Sequence, residues 1–180
     1  MLTMEEAVKT ELPYDDPVWH YILRNEGGYV HHPRDKGGPT KYGVTQATAR
    51  RHGYMGEMKD LPLETAKDIL RKDYWFCDGV KSRRVARKLF DMSIQFGPAR
   101  VIKWVQEELN GSAEATTPLK TDGSFGPKTL AVLNTIPEEP MLSILGQICE
   151  NKYRAIAEKD PTQNVFLTGW LFRAWRFPPA

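Results

Sequence analysis

Apolar residues recur along this chain at the three-and-four spacing of helices far more often than in the alternation of strands. Val18, Tyr21 and Ile22 form one such face, widened by Trp19 and Leu23. Ahead of them Asp15-Asp16-Pro17 supplies an Asp for the N-cap and a Pro that the first turn tolerates. Thr45 caps a short helix through Arg51, stopped at Gly53. Leu63 to Phe76 is amphipathic, with Ala66, Ile69, Leu70 and Tyr74 on one side. Ser82 caps a helix carrying Val85, Leu89, Phe90 and Ile94. Gly97-Pro98 starts another, with Val101, Ile102, Val105 and Leu109 inward, until Asn110-Gly111 stops it. Residues 111 to 126 read as loop. Pro127 opens a short helix that ends before Pro137, Met141 to Lys159 is a longer one, and Asn164 to Arg176 is the last. Only the stretch from Tyr29 to Val44 has room for strands, as a small hairpin after the first helix. The pattern predicts a mainly α fold.

Composition adds bounds. At 180 residues with 41% hydrophobic and 27% charged positions, the chain is one domain or two small lobes sharing a core. No apolar run approaches the ~20 residues needed to span a bilayer, so stable membrane insertion is not expected. The first residues, M-L-T-M-E-E-A-V-K-T-E, are acidic and lack the apolar core of a signal peptide, which predicts synthesis in the cytoplasm and export by another route. Net charge is only +2 but uneven: Lys81, Arg83, Arg84, Arg87, Lys88, Arg100 and Lys103 stand against the single acid Asp91 between residues 81 and 104. Such a stretch suits an anionic partner, either a carboxylate-bearing cell wall or nucleic acid. Cys77 and Cys149 form no metal spacing; they could pair, but a cytoplasmic origin favours free thiols. His31-His32 has no third ligand at a suitable spacing, and no local Ser-His-Asp motif is present. Neither a metal nor a cofactor is expected.

The richest chemistry lies at residues 26 to 45, E-G-G-Y-V-H-H-P-R-D-K-G-G-P-T-K-Y-G-V-T. Gly27 and Gly28 end the first helix, which leaves Glu26 in its last turn at the negative end of the dipole. That position favours the neutral acid over the carboxylate, and burial would raise the pKa further, as a glycosidase general acid requires. The glycine-rich loop behind it lets backbone approach an extended substrate closely. Asp35 lies nine positions on, where it is either a second carboxylate or a brace for loop amides. Thr40 either positions a water or satisfies loop backbone. Tyr29 and Tyr42 are either small-core aromatics or flat faces for sugar rings. Near the C-terminus Trp170, Phe172 and Trp175 read as packing, and Asp122-Gly123-Ser124-Phe125-Gly126 as a turn anchored by Phe125.

The E-G-G-Y stretch, P-R-D-K-G-G-P-T-K-Y-G-V-T and the later F-D-M-S-I-Q-F-G together resemble glycoside hydrolase family 108, from about Trp19 to Trp104. The segments W-V-Q-E-E-L-N, D-G-S-F-G-P-K-T-L and G-W-L-F-R, continuing to about Arg173, resemble that family's companion peptidoglycan-binding region. The family carries Asn where this chain has Gln95.

The resemblance implies a lysozyme-like helical fold, with a catalytic region over residues 17–108 and a peptidoglycan-binding region over 109–176 packed on the same core. It implies an N-acetylmuramidase that cleaves the β-1,4 bond between N-acetylmuramic acid and N-acetylglucosamine. Glu26 would be its general acid and Asp35 with Thr40 its water-activating or charge-stabilising groups. Tyr29, Tyr42, Gln95, Asp122 and Phe125 would contact substrate. The implied setting is lysis or wall remodelling by a monomer that meets peptidoglycan glycan strands but no nucleic acid. A holin or a secretion machine would release it to act on the wall from the periplasm or from outside. Two other readings use the same residues differently: a lytic transglycosylase with Glu26 as acid and then base, or a non-catalytic wall-binding module.

Overall fold

A computed structural model describes residues 12–26, 28–30, 38–111 and 118–178, with Arg24, Asn25 and Glu26 described in their backbone alone. The chain divides into two compact units, residues 11–75 and residues 76–180. The fold is mainly α and lysozyme-like, with eight α-helices and one small antiparallel hairpin among the described residues.

In the first unit α1 (Val18–Glu26) starts where the sequence places its cap: the Val18 N–H donates to Asp16 Oδ1 at 2.9 Å. Val18, Trp19, Tyr21 and Ile22 are buried, and the Trp19 indole donates to the Pro13 carbonyl at 2.8 Å. Strands β1 (Thr40–Lys41) and β2 (Val44–Thr45) form the hairpin, pairing Thr40 with Thr45 and Lys41 with Val44. Thr45 then caps α2 (Gln46–Arg51), accepting from the Thr48 N–H at 3.2 Å. Helix α3 (Leu63–Tyr74) buries Ala66, Ile69 and Leu70. It ends two residues short of the expected Phe76, because Trp75 turns into extended backbone.

The second unit is a helical cluster. Helices α4 (Arg83–Phe96) and α5 (Pro98–Asn110) pack against each other, with Gly97 ending one and Pro98 beginning the next. Ser82 caps α4, accepting from the Val85 N–H at 3.1 Å. Short α6 (Pro127–Leu133) lies on α5, while α7 (Glu138–Lys159) packs on both α4 and α8 (Asn164–Trp175). Val85, Leu89, Phe90, Met92, Val105, Leu109, Leu142 and Leu145 are buried in this unit, each contributing about 1.5–3 kcal/mol in apolar burial. Helix α7 begins three residues before the expected Met141. Pro140 falls in its first turn, where no intrahelical N–H bond is lost.

Two expectations are corrected. The basic stretch from Lys81 to Lys103, expected to suit an anionic partner, does not present all its cations on one face. Arg87 and Lys88 are only 4% and 0% exposed, and Arg84 is paired with Glu138 and Glu139. Its sequence density arose from residues that α4 turns inward as well as outward. Nor are all the C-terminal aromatics core. Tyr153 stacks on Trp170 at 5.3 Å, but Phe172 is 68% exposed and Trp175 is half-exposed, its indole donating to Glu150 at 2.7 Å. Helix α8 is apolar on more than one side, so helical spacing alone did not select its inward face.

Lys88 reaches across the unit to the end of α8, where its ammonium donates to the carbonyls of Arg173 at 3.0 Å and Arg176 at 3.3 Å. Asp91, also fully buried, lies 3.9 Å from Lys88 and accepts from Arg173 at 2.7 Å. Burial holds the Lys88 pKa below the ordinary lysine value. Cys77 and Cys149 are both buried free thiols. Burial raises both, Cys149 up to about 11.

Candidate active site

Helix α1 delivers Glu26 to its own last turn, immediately before the glycine pair. Four buried apolar side chains and the Asp16 cap fix the helix, and with it the position of the Glu26 backbone. The Glu26 side chain and all of Asp35 lie outside the described residues, as do His31 and His32.

The loop that follows is tied back to the hairpin. Val30 and Thr40 form an antiparallel bridge, exchanging backbone hydrogen bonds at 2.8 and 2.9 Å. In sequence, these two paired residues flank the segment that contains Asp35. Thr40 is central to this arrangement: its backbone bonds Val30, and it is the first residue of β1. The bridge brings Tyr29, 45% exposed, into the neighbourhood of the hairpin.

The hairpin turn is Tyr42-Gly43, with φ of 54° and 79°. Positive φ at both central residues is the signature of a type I′ turn, which matches the twist of paired strands. Glycine adopts it cheaply, but a bulky tyrosine does so at a cost of about 1–2 kcal/mol. Strain of this sort persists where the surroundings hold a side chain in a required direction. Tyr42 is partly exposed, and the Lys41 ammonium lies 5.0 Å from its ring centre. The turn thus presents one flat aromatic face on the same hairpin as Thr40. At the end of α2, His52 and Arg51 both engage the Asp73 carboxylate, at 2.8 and 3.0 Å. Among the described residues no group of three His, Cys, Asp or Glu side chains comes together in a metal-binding arrangement.

The other sequence-selected residues lie in the second unit. Both ends of the Gln95 amide are occupied. Its Nε2 donates to the Asp91 carbonyl at 3.0 Å and carboxylate at 3.1 Å, and its Oε1 accepts from the Tyr153 hydroxyl. Phe125 packs on Phe76 with ring centres 5.0 Å apart. Asp122 accepts from the Ser124 N–H at 2.9 Å, which holds its carboxyl below the usual range. The sequence did not single out Gln106, which is 1% exposed and organises this turn. It donates to Ser124, Thr129 and Asp122 and accepts from the Gly123 N–H at 3.0 Å. A polar residue among the apolar positions of α5 was the available signal.

Residues 19–97 match the family described as Glycosyl hydrolase 108, and residues 100–175 match the one described as Predicted Peptidoglycan domain. No curated protein matches the chain. Among solved structures, that of Brucella abortus SagA is similar at 29% identity over 86% of this chain and 86% of that one, with a TM-score of 0.64. Helix α4 falls within the first matched region yet packs with α5 and α7 of the second, so the packing boundary near Phe76 lies well before the boundary between the matches.

Proposed function

Residues 19–97 belong to the glycosyl hydrolase 108 family and residues 100–175 to the peptidoglycan domain family, and from that premise we propose that the protein is an N-acetylmuramidase with Glu26 as its general acid. At the coarser level the chain is a glycoside hydrolase that acts on peptidoglycan. The finer reading is supported above all by one observation. Glu26 closes α1 directly before a glycine-rich loop whose ends are pinned by the Val30–Thr40 bridge.

In the proposed reaction the neutral Glu26 carboxyl protonates the bridging oxygen of the β-1,4 bond that follows N-acetylmuramic acid. The leaving sugar departs and positive charge develops on the muramic ring. Asp35 stabilises that charge or deprotonates the incoming water, and Thr40 holds the water. Proton donation plus electrostatic stabilisation carries such a reaction without a metal or cofactor. Tyr29 and Tyr42 offer faces on which pyranose rings stack, and the strain at Tyr42 is consistent with a ring held for that purpose. Gln95 acts by fixing Asp91 and Tyr153 rather than by touching sugar. We assign catalysis to residues 17–108 and wall contact to residues 109–176. The place of action is the cell wall, reached through a membrane-opening partner or a secretion machine.

Mass analysis of digested peptidoglycan tests this reading. Hydrated reducing muramic ends are expected. Anhydro-muramic ends would instead establish a lytic transglycosylase, and intact strands would establish a binding module.

A further inference from the structure

The turn Asp122-Gly123-Ser124 walls a cavity of about 420 Å³ that the proposed glycosidase chemistry does not use. Its lining is mostly apolar in surface, with Leu119, Pro127 and the buried Gln106 among its walls. Three charged residues line it as well: Lys120, Lys128 and Asp122. Lys120 has 86% of its side chain exposed and sits 3.5 Å from the Asp122 carboxylate.

The cavity is built before any ligand arrives. The Gln106 amide spends its donors on Ser124, Thr129 and Asp122 and its acceptor on the Gly123 N–H, so it braces the turn from below. Gly123 presses against α5: a Cβ there would lie 2.7 Å from the Ala99 carbonyl oxygen, and its φ is 76°. No other residue fits that close approach. A rigid turn with its polar groups already satisfied loses little on binding, which is the condition for a weak but specific peptide site.

Peptidoglycan offers two kinds of surface. Its glycan is a run of N-acetylated sugars, and its stem peptides alternate small apolar side chains with free carboxylates. Cations around an apolar hollow complement the stem peptide. The same cations have little to pair with along the N-acetylglucosamine units of the glycan. Asp122, ionised and fixed by Ser124, already has the Lys120 ammonium 3.5 Å away, and the amine on the third residue of an uncrosslinked stem would compete with Lys120 for it.

We propose that this cavity is a stem-peptide site that docks the second unit on the wall while the glycan is cut elsewhere. The proposal rests on peptidoglycan being the substrate. It deepens that reading by assigning the peptide, and not the sugar, to Lys120, Lys128 and Asp122. Phe125, committed to Phe76, supports the turn from behind.

The test is calorimetric titration of the full chain with a sugar-free tetrapeptide, L-Ala–D-isoglutamate–diamino acid–D-Ala, at low and high salt. Binding that weakens with salt is expected. The double charge reversal K120E/K128E should weaken it roughly tenfold, since two exposed pairs become two repulsions. The milder pair K120Q/K128Q should fall between, and it keeps the test usable if the reversal fails to fold. Both variants should cleave peptide-stripped glycan at the wild-type rate but show a raised KM on intact wall. Absence of tetrapeptide binding, or binding equal in wild type and both variants, would overturn the proposal while leaving glycan cleavage as its own result. Wild-type protein that binds the tetrapeptide but cuts no glycan would instead overturn the muramidase reading and keep the site.

Discussion

The Lys88 ammonium donates to the Arg173 carbonyl at 3.0 Å, tying the middle of α4 to the end of α8 across 85 positions of sequence. The last carbonyls of a helix lack partners within it, and a buried cation is a strong way to satisfy them. Lys88→Met takes that cation away from the carbonyls of Arg173, which keeps its bond from the Arg176 N–H, and of Arg176, and it weakens the neutralisation of the buried Asp91. A loss of about 3 kcal/mol follows from breaking one side of a buried charge cluster. Thermal unfolding should report a midpoint roughly 10 °C lower. A shift within 2 °C would show that the cluster contributes nothing net.

Glu26→Gln preserves shape and removes the transferable proton. Wall cleavage should fall at least ~100-fold, with the unfolding midpoint unchanged. Asp35→Asn separates the two roles left open for that residue. Lost turnover at unchanged stability identifies a catalytic carboxylate, whereas parallel loss of both identifies a loop brace. Wild-type cleavage by folded Glu26→Gln would remove Glu26 from the mechanism.

At Tyr42 stability and activity should move in opposite directions. Asn adopts positive φ more readily than Tyr, so Tyr42→Asn should raise stability by about 0.5–1 kcal/mol. If the ring stacks on sugar, KM on glycan should rise several-fold in the same variant. A variant that gains stability and keeps its KM would mean that the strained ring has no part in binding.

The helix starts were legible because caps are local. Asp16, Thr45 and Ser82 each bond an N–H two or three residues away, so a short window of sequence contains the whole signal. The hairpin was legible as a region, and its type I′ turn follows from Gly43 with one strained neighbour. What escaped the sequence depended on distant partners. Arg87 and Lys88 look like surface cations until α8 supplies carbonyls for Lys88. Phe172 looks like core until the inward side of α8 is taken by Trp170 and Ala174. The Asp122 turn was readable from its own residues, but the hollow beside it needs Gln106 and Leu119, brought there from α5 and from the chain before the turn.

Removing residues beyond Gly111 should leave α4 and α5 without α6, α7 and α8, exposing Leu89, Phe90 and Leu109. Fragment 1–111 is expected to aggregate or to unfold without a cooperative transition. A soluble fragment with full activity and a sharp melt would show that the second matched region is dispensable for folding.

Acid should weaken the second unit in a defined window. The hydrogen bond from Ser82, then Arg84, holds the Glu138 carboxyl below its ordinary value of 4.5. The stabilisation is complete above the unfolded-state value and is lost as pH falls through the lower folded-state value. Asp122, Glu150 and Asp160 are shifted in the same direction. The unfolding midpoint should therefore stay flat from pH 7 to about 5 and fall below about 4.5, with Glu138→Gln making the decline shallower. An unchanged slope in that variant would exclude Glu138 as a contributor.

Cys77 and Cys149 are buried, unpaired and held in the unreactive thiol form. The fold is consequently indifferent to the electron balance of its surroundings. A chain of this kind reaches its final shape in a reducing compartment and keeps the same covalent structure in an oxidising one. Passage from one to the other requires no disulfide isomerase and no oxidant.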